Sequence, residues 1–222
     1  MLEYVQTSVC EGAYRTTVGQ SDEMARPGKR NGQQGQLRII GGQWRGRNLK
    51  FTPEEGLRPT SDRIRETLFN WLALSIHGAR CLDLFAGSGA LGLEALSRGA
   101  AHCDFVDTSS TAVRQISQHL STLGADTRAS SCQAPAQQFL KNASKPYDIV
   151  FLDPPFDRQL VQPACRLLAE QRLVHQDTLA YVETGAMEPA PRVPDDWDLH
   201  REKVSGGVAY RLYCVSGDLD SP

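Results

Sequence analysis

The sequence predicts an α/β fold: a mostly parallel sheet covered by helices on both faces, with a C-terminal antiparallel hairpin and a small N-terminal β-hairpin arm. Three observations carry this. Strand-like and helix-like runs alternate from Arg80 onward. The glycine-rich "DLFAGSGALG" stands where the first of those strands meets its helix. The chain then closes on "WDLHREKVSGGVAYRLYCV", two strand-like runs around Gly206-Gly207 whose tight turn makes them antiparallel and the sheet edge mixed.

Residues 1–36, including "GKRNGQQGQ", sustain neither a period of 2 nor one of 3.6 and read as a flexible basic extension. In residues 37–58, "LRIIGGQWRGRNLKF" gives two short strand-like runs around Gly41-Gly42 and Gly46, the arm. Residues 59–216 form the main domain and 217–222 a tail. The main domain opens on "RPTSDRIRETLFNWLALSI", with Thr60 or Ser61 as N-cap and Ile64, Leu68, Trp71, Leu72 and Ile76 at helical spacing. Trp71 falls on that apolar stripe and is expected in the core. "RCLDLFAG" is then a strand, "ALGLEALSRG" a helix, "HCDFVD" a strand and "TAVRQISQHLSTLG" a helix closed by Gly124. "TRASSCQAPAQQFLKN" is a weaker strand and helix, "YDIVFLD" a buried strand, "RQLVQPACRLLAEQ" a helix despite Pro163, and "TLAYVET" another strand.

With 222 residues, 40% hydrophobic and 23% charged, the chain can bury one substantial core. It has no run of 18 apolar residues, and "MLEYVQTSVCEGAYRTT" lacks the basic flank and apolar centre of a signal peptide, so a cytoplasmic protein without membrane contact is expected. The six cysteines are scattered without a Cys-x-x-Cys pair, as are the five histidines, which suggests neither a disulfide framework nor a metal site. Net charge is only −2, but seven of the 24 basic residues lie between Met24 and Pro53, where there is no acid. The remaining 17 face all 26 acids. A basic arm on an acidic body is the charge pattern of a protein that meets a polyanion.

Gly87, Gly89 and Gly92 spell G-x-G-x-x-G, and Asp107 closes the next strand, suited to ribose hydroxyls. Alone, this spacing fits an NAD(P)-dependent oxidoreductase. Asp83, inside the first strand motif, argues against a pyrophosphate, which a nearby carboxylate would repel. It suits a cationic ligand instead, such as S-adenosylmethionine with its ammonium and sulfonium groups. "FLDPPF" ends a strand on an acid, two prolines and a ring. The prolines make that loop stiff. An exocyclic amine of a nucleobase is a poor nucleophile, because its lone pair is delocalised into the ring. Acceptors on its two N–H groups, the Asp153 carboxylate and the Pro154 carbonyl, would localise that pair, with Pro155 fixing the loop and Phe156 stacking on the base. The base must then be unpaired or flipped out. In-line transfer of this kind requires no metal. A noncatalytic RNA-binding module would need the basic arm but not Asp153.

"RIIGGQWRGRNL", "LRPTSDRIRETLFNWL", "CLDLFAGSGALGLEALSRGA", "DIVFLDPPF" and "LHREKVSGGVAYRLY" stand in this order between about Leu37 and Val215. In this the chain resembles the RsmD family of bacterial ribosomal RNA methyltransferases. The resemblance implies a Rossmann-like class I S-adenosylmethionine-dependent methyltransferase, monomeric, that methylates N2 of guanine 966 in 16S ribosomal RNA within an assembling 30S particle. It implies a cofactor site at Asp83, Phe85, Ala86, Gly87, Gly89, Asp107 and Ala136, and a catalytic motif at Asp153, Pro154, Pro155 and Phe156. It implies RNA contacts from Arg38, Trp44, Arg45 and Arg47 on the arm and from Arg58, Thr60 and Arg63 at the opening of the first helix. Where the family has Asn or Asp followed by Ala to meet the adenine, this chain has Pro135-Ala136, which leaves that contact to the Ala136 amide or a neighbouring glutamine. The extension before Leu37 has no family counterpart.

Overall fold

A computed structural model describes residues 34–52, 61–156 and 158–217. Most of the basic extension lies outside the described residues, as do Arg58, Thr60 and nearly all of the tail. Two short strands, β1 (Gly35–Arg38) and β2 (Asn48–Phe51), pair antiparallel as the arm. Seven others form the main sheet: β3 (Arg80–Asp83), β4 (His102–Asp107), β5 (Ala129–Gln133), β6 (Ile149–Leu152), β7 (Leu179–Gly185), β8 (Trp197–Ser205) and β9 (Val208–Val215). Their order is β5-β4-β3-β6-β7-β9-β8. The first five are parallel, while β9 runs antiparallel to both β7 and β8, which gives the expected mixed edge. This strand order agrees with the Rossmann-like arrangement that the resemblance implies.

Five helices connect the strands: α1 (Asp62–Trp71), α2 (Ala90–Ser97), α3 (Ser110–Leu123), α4 (Ala136–Asn142) and α5 (Val161–Glu170). Each boundary has a local chemical cause. Ser61 caps α1 by accepting from the Ile64 N–H at 3.3 Å, and Ser109 caps α3 by accepting from Ala112 at 3.1 Å. Pro163 is the third residue of α5, where its missing N–H breaks no helical bond. Helix α1 is shorter than its apolar spacing suggested. The chain turns after Leu72, which returns Ile76 to the core and leaves Leu74 fully exposed.

Alternation along the central strands divides the core between two faces. Phe151 points to the face covered by Leu68 and Phe69 of α1, Leu93 of α2 and Ile116 of α3. Val150 and Leu152 point to the other, against Leu140 of α4 and Leu168 of α5. Leu37, Ile39, Trp44, Leu49 and Phe51 of the arm belong to the first core, so the hairpin is packed onto the sheet's covering helices. Strand order reverses between β3 and β6, and the crevice outside their carboxyl ends is where an open α/β sheet holds ligands. Asp83 is the last residue of β3, Asp107 the last of β4, and Asp153 follows β6 directly. Among the described residues, no helix is long and apolar enough to cross a membrane.

Candidate active site

The crevice is a cavity of about 400 Å³. Asp83, Phe85, Ala86, Gly87, Asp107, Ala136 and all of Asp153–Phe156 line it, so the parallel strands gather onto one wall residues that are up to 73 positions apart in the sequence. Gly89 is outside this lining and is the N-cap of α2, at φ 78°.

Asp83 is 2% exposed, and its Oδ2 accepts the Gly92 N–H at 2.9 Å. That bond requires close packing of α2 on the sheet: a Cβ at Gly92 would lie 2.2 Å from the Phe105 ring. Burial pushes the Asp83 carboxyl up to about 7; the Gly92 bond opposes this, and the negative charges of Asp153 and Asp107 add to it. Asp107 organises the glycine loop. Its Oδ2 accepts the Gly87 N–H and its Oδ1 the Ser109 N–H, both at 2.8 Å, which ties the β3–α2 loop to the start of α3. Each oxygen keeps a further lone pair for a ligand hydroxyl. In the DPPF motif, Pro154 is buried, Asp153 and Phe156 are half-buried, and Pro155 is exposed. Phe156 packs its inner side on the first core.

Three carboxylates around one small cavity repel each other and disfavour an anion. A cation would relieve both that repulsion and the burial of Asp83, so the donor set fits an ammonium or sulfonium group. Pro135 and Ala136 both line the wall, Pro135 as the N-cap of α4 without a side-chain cap bond. Arg158 is the one basic residue among the described lining residues. Nothing in its loop sequence singles it out.

On the arm, Arg38, Arg45 and Arg47 are exposed, as is Arg63 on α1. Trp44 corrects the sequence reading. It is only 6% exposed, the Arg128 guanidinium lies 5.4 Å from its ring centroid, and its backbone N–H donates to Ser97 Oγ at 3.0 Å. Its arginine-rich neighbours face solvent while its own ring turns into the core, so it has no face to offer a base. Trp71 is half-buried and stacked on Tyr210, ring centroids 5.5 Å apart. The sequence also gave no role to Glu94 and Arg65, which are buried and paired across α2 and α1. The signal for Glu94 was present, an acid inside the otherwise apolar "ALGLEALS".

The family described as Conserved hypothetical protein 95 matches residues 37–214. Ribosomal RNA small subunit methyltransferase D of Escherichia coli (strain K12) is 51% identical over 179 residues, covering 81% of this chain and 90% of the relative. The chain belongs to the RsmD family. A second member, Ribosomal RNA small subunit methyltransferase D of Haemophilus influenzae, is 46% identical over 182 residues, or 81% of this chain and 94% of the relative. The solved structure of the Escherichia coli protein yhhF superposes with a TM-score of 0.77 at 49% identity, covering 82% of this chain and 99% of that one. The RsmD match starts at the arm and stops at the last strand, so arm and sheet are inherited together.

Proposed function

We propose that the protein transfers a methyl group from S-adenosylmethionine to the exocyclic N2 amine of a guanine in 16S ribosomal RNA, at the position equivalent to guanine 966, during assembly of the small subunit. The carrying observation is the convergence of Asp83, Asp107 and the Asp153–Phe156 motif on one cavity, in a chain half identical to proteins named for methylating small-subunit ribosomal RNA. When bound, S-adenosylmethionine supplies an electrophilic methyl group whose leaving group is a neutral thioether.

The chain's own residues do the rest. Asp83 and the loop at Gly87 and Gly89 hold the cationic end of the cofactor, Asp107 its ribose hydroxyls, and the Ala136 segment its adenine. Asp153 accepts one amine N–H and the Pro154 carbonyl the other, which keeps the nitrogen lone pair off the ring and directs it at the methyl carbon. The two prolines hold these acceptors without reorganisation. Phe156 provides the stacking face. The arm, residues 37–58, grips RNA phosphates through Arg38, Arg45 and Arg47, Arg58, Thr60 and Arg63 are further RNA contacts, and residues 59–216 are the catalytic domain.

The test is incubation with labelled S-adenosylmethionine and either small-subunit particles or naked 16S ribosomal RNA from cells lacking the modification, followed by mapping of the label. Label at N2 of the one expected guanine is the predicted result. Label on another base or atom, or none on either substrate, would overturn the assignment.

A further inference from the structure

All eight residues of α2 are buried, and two separate structures are anchored to this short helix. At its start stands the cofactor wall: the glycine loop runs into Ala90, and Asp83 holds the Gly92 N–H. On its flank lies the arm. Glu94, 0% exposed, accepts the Ile40 N–H at Oε2 and the Gly41 N–H at Oε1, both at 2.8 Å. Arg98 Nε donates to the same Oε1 at 2.7 Å, and Arg65 lies 3.7 Å from Oε2. Ser97 Oγ donates to the Gly41 carbonyl at 2.6 Å and accepts the Trp44 N–H at 3.0 Å. At Gly42, φ is +75° and a Cβ would fall 1.9 Å from the Ser97 carbonyl oxygen, so the arm's backbone rests directly on the helix.

A hairpin that only added positive charge could be joined by a loose linker. Here a buried carboxylate and a hydroxyl fix four backbone groups of its turn, and charge-assisted bonds of this kind are the stronger ones. We propose that Glu94, seconded by Ser97, is a positioning residue: it joins the arm to the cofactor wall as one rigid unit, so that Arg45 and Arg47 hold RNA at a set distance from Asp153. This rests on the methyltransferase reading and adds to it. The arm then contributes alignment as well as affinity.

The experiment uses the full chain with Glu94→Gln and, separately, Ser97→Ala. Gln keeps the shape but turns one acceptor into a donor facing a backbone N–H. Thermal unfolding and calorimetry with S-adenosylmethionine establish that each variant folds and binds cofactor within about 2-fold of wild type. RNA affinity should also stay within about 3-fold, because no arm charge is removed. The single-turnover rate on saturating RNA should fall about 10-fold or more, as misplacement of reacting groups does. Amide exchange at Ile40 and Gly41 should accelerate. A folded Glu94→Gln protein with wild-type single-turnover rate would overturn the proposal, and Ser97→Ala decides it by the same measure if Glu94→Gln does not fold. Should wild type methylate no RNA, the functional reading falls on its own. The clamp is then judged by exchange, and wild-type protection of the Ile40 and Gly41 amides in the variants would refute it.

Discussion

Asp83 and Asp153 both end parallel strands of the same sheet, yet their surroundings suit them to different tasks. Asp83 is nearly buried on the cavity wall, with burial pushing its carboxyl up to about 7, so near neutrality it lies between its two charge states. A cationic ligand favours the ionised form. Affinity for S-adenosylmethionine should therefore rise with pH toward about 7 and level off above it, with protons released on binding below that point. Asp83→Asn keeps an oxygen for the Gly92 N–H but removes the charge. Calorimetry at several pH values should show weaker binding in this variant and no slope, and an unchanged slope would mean that another group titrates. Asp153 is half-buried on a proline-stiffened loop that lines the same cavity, the place proposed for the amine. Asp153→Ala should cut single-turnover methyl transfer by about 10²-fold or more, in line with removal of a preorganised group at the reacting centre. Cofactor and RNA binding should persist. Undiminished turnover would remove Asp153 from the chemistry.

Among the elements, the arm shows most clearly where sequence reading stops. Its two strands, the capped start of α1 and the glycine at the end of α3 are local signals, carried by a few adjacent residues. The side on which the arm is covered depends on contacts 53 and 54 positions away, from Ser97 and Glu94, which no local period encodes. Trp44 was misread for that reason, while Arg45 and Arg47 are exposed. Neutralising both arginines should weaken RNA binding and lower the salt slope of the logarithmic affinity by about 1.5, the effect of two phosphate contacts. A slope equal to wild type would take the arm out of the interface. In α2 the limiting contact is Gly92. Its replacement by Ala drives a methyl group into the Phe105 ring, with an expected loss of about 1–3 kcal/mol in denaturant unfolding. Weaker cofactor binding should accompany it, since the same packing presents the Gly92 N–H to Asp83.

At the scale of the whole molecule, alternation made the α/β class legible, but the order β5-β4-β3-β6-β7-β9-β8 is a property of long-range pairing. That order sets Asp83, Asp107 and Asp153 on one edge, and so the like charges that a spacing motif could only suggest. The resulting burial has a consequence for stability. An unfolded chain loses the Asp83 proton near 3.8, whereas the native protein keeps it to about 7. Between these values the native state binds the extra proton, so this group withdraws stability as pH rises through the window and withdraws no more above it. Wild type and Asp83→Asn should thus unfold at similar temperatures near pH 4, with the variant progressively more stable than wild type toward about pH 8. Saturating S-adenosylmethionine should narrow that gap: at roughly 100 times its dissociation constant a ligand adds about 2.7 kcal/mol, and wild type binds it more tightly. Thermal unfolding of both proteins across this range, with and without cofactor, measures the whole cycle. A gap independent of pH, or untouched by the cofactor, would show that the buried carboxylate is not the group through which this fold senses its cationic ligand.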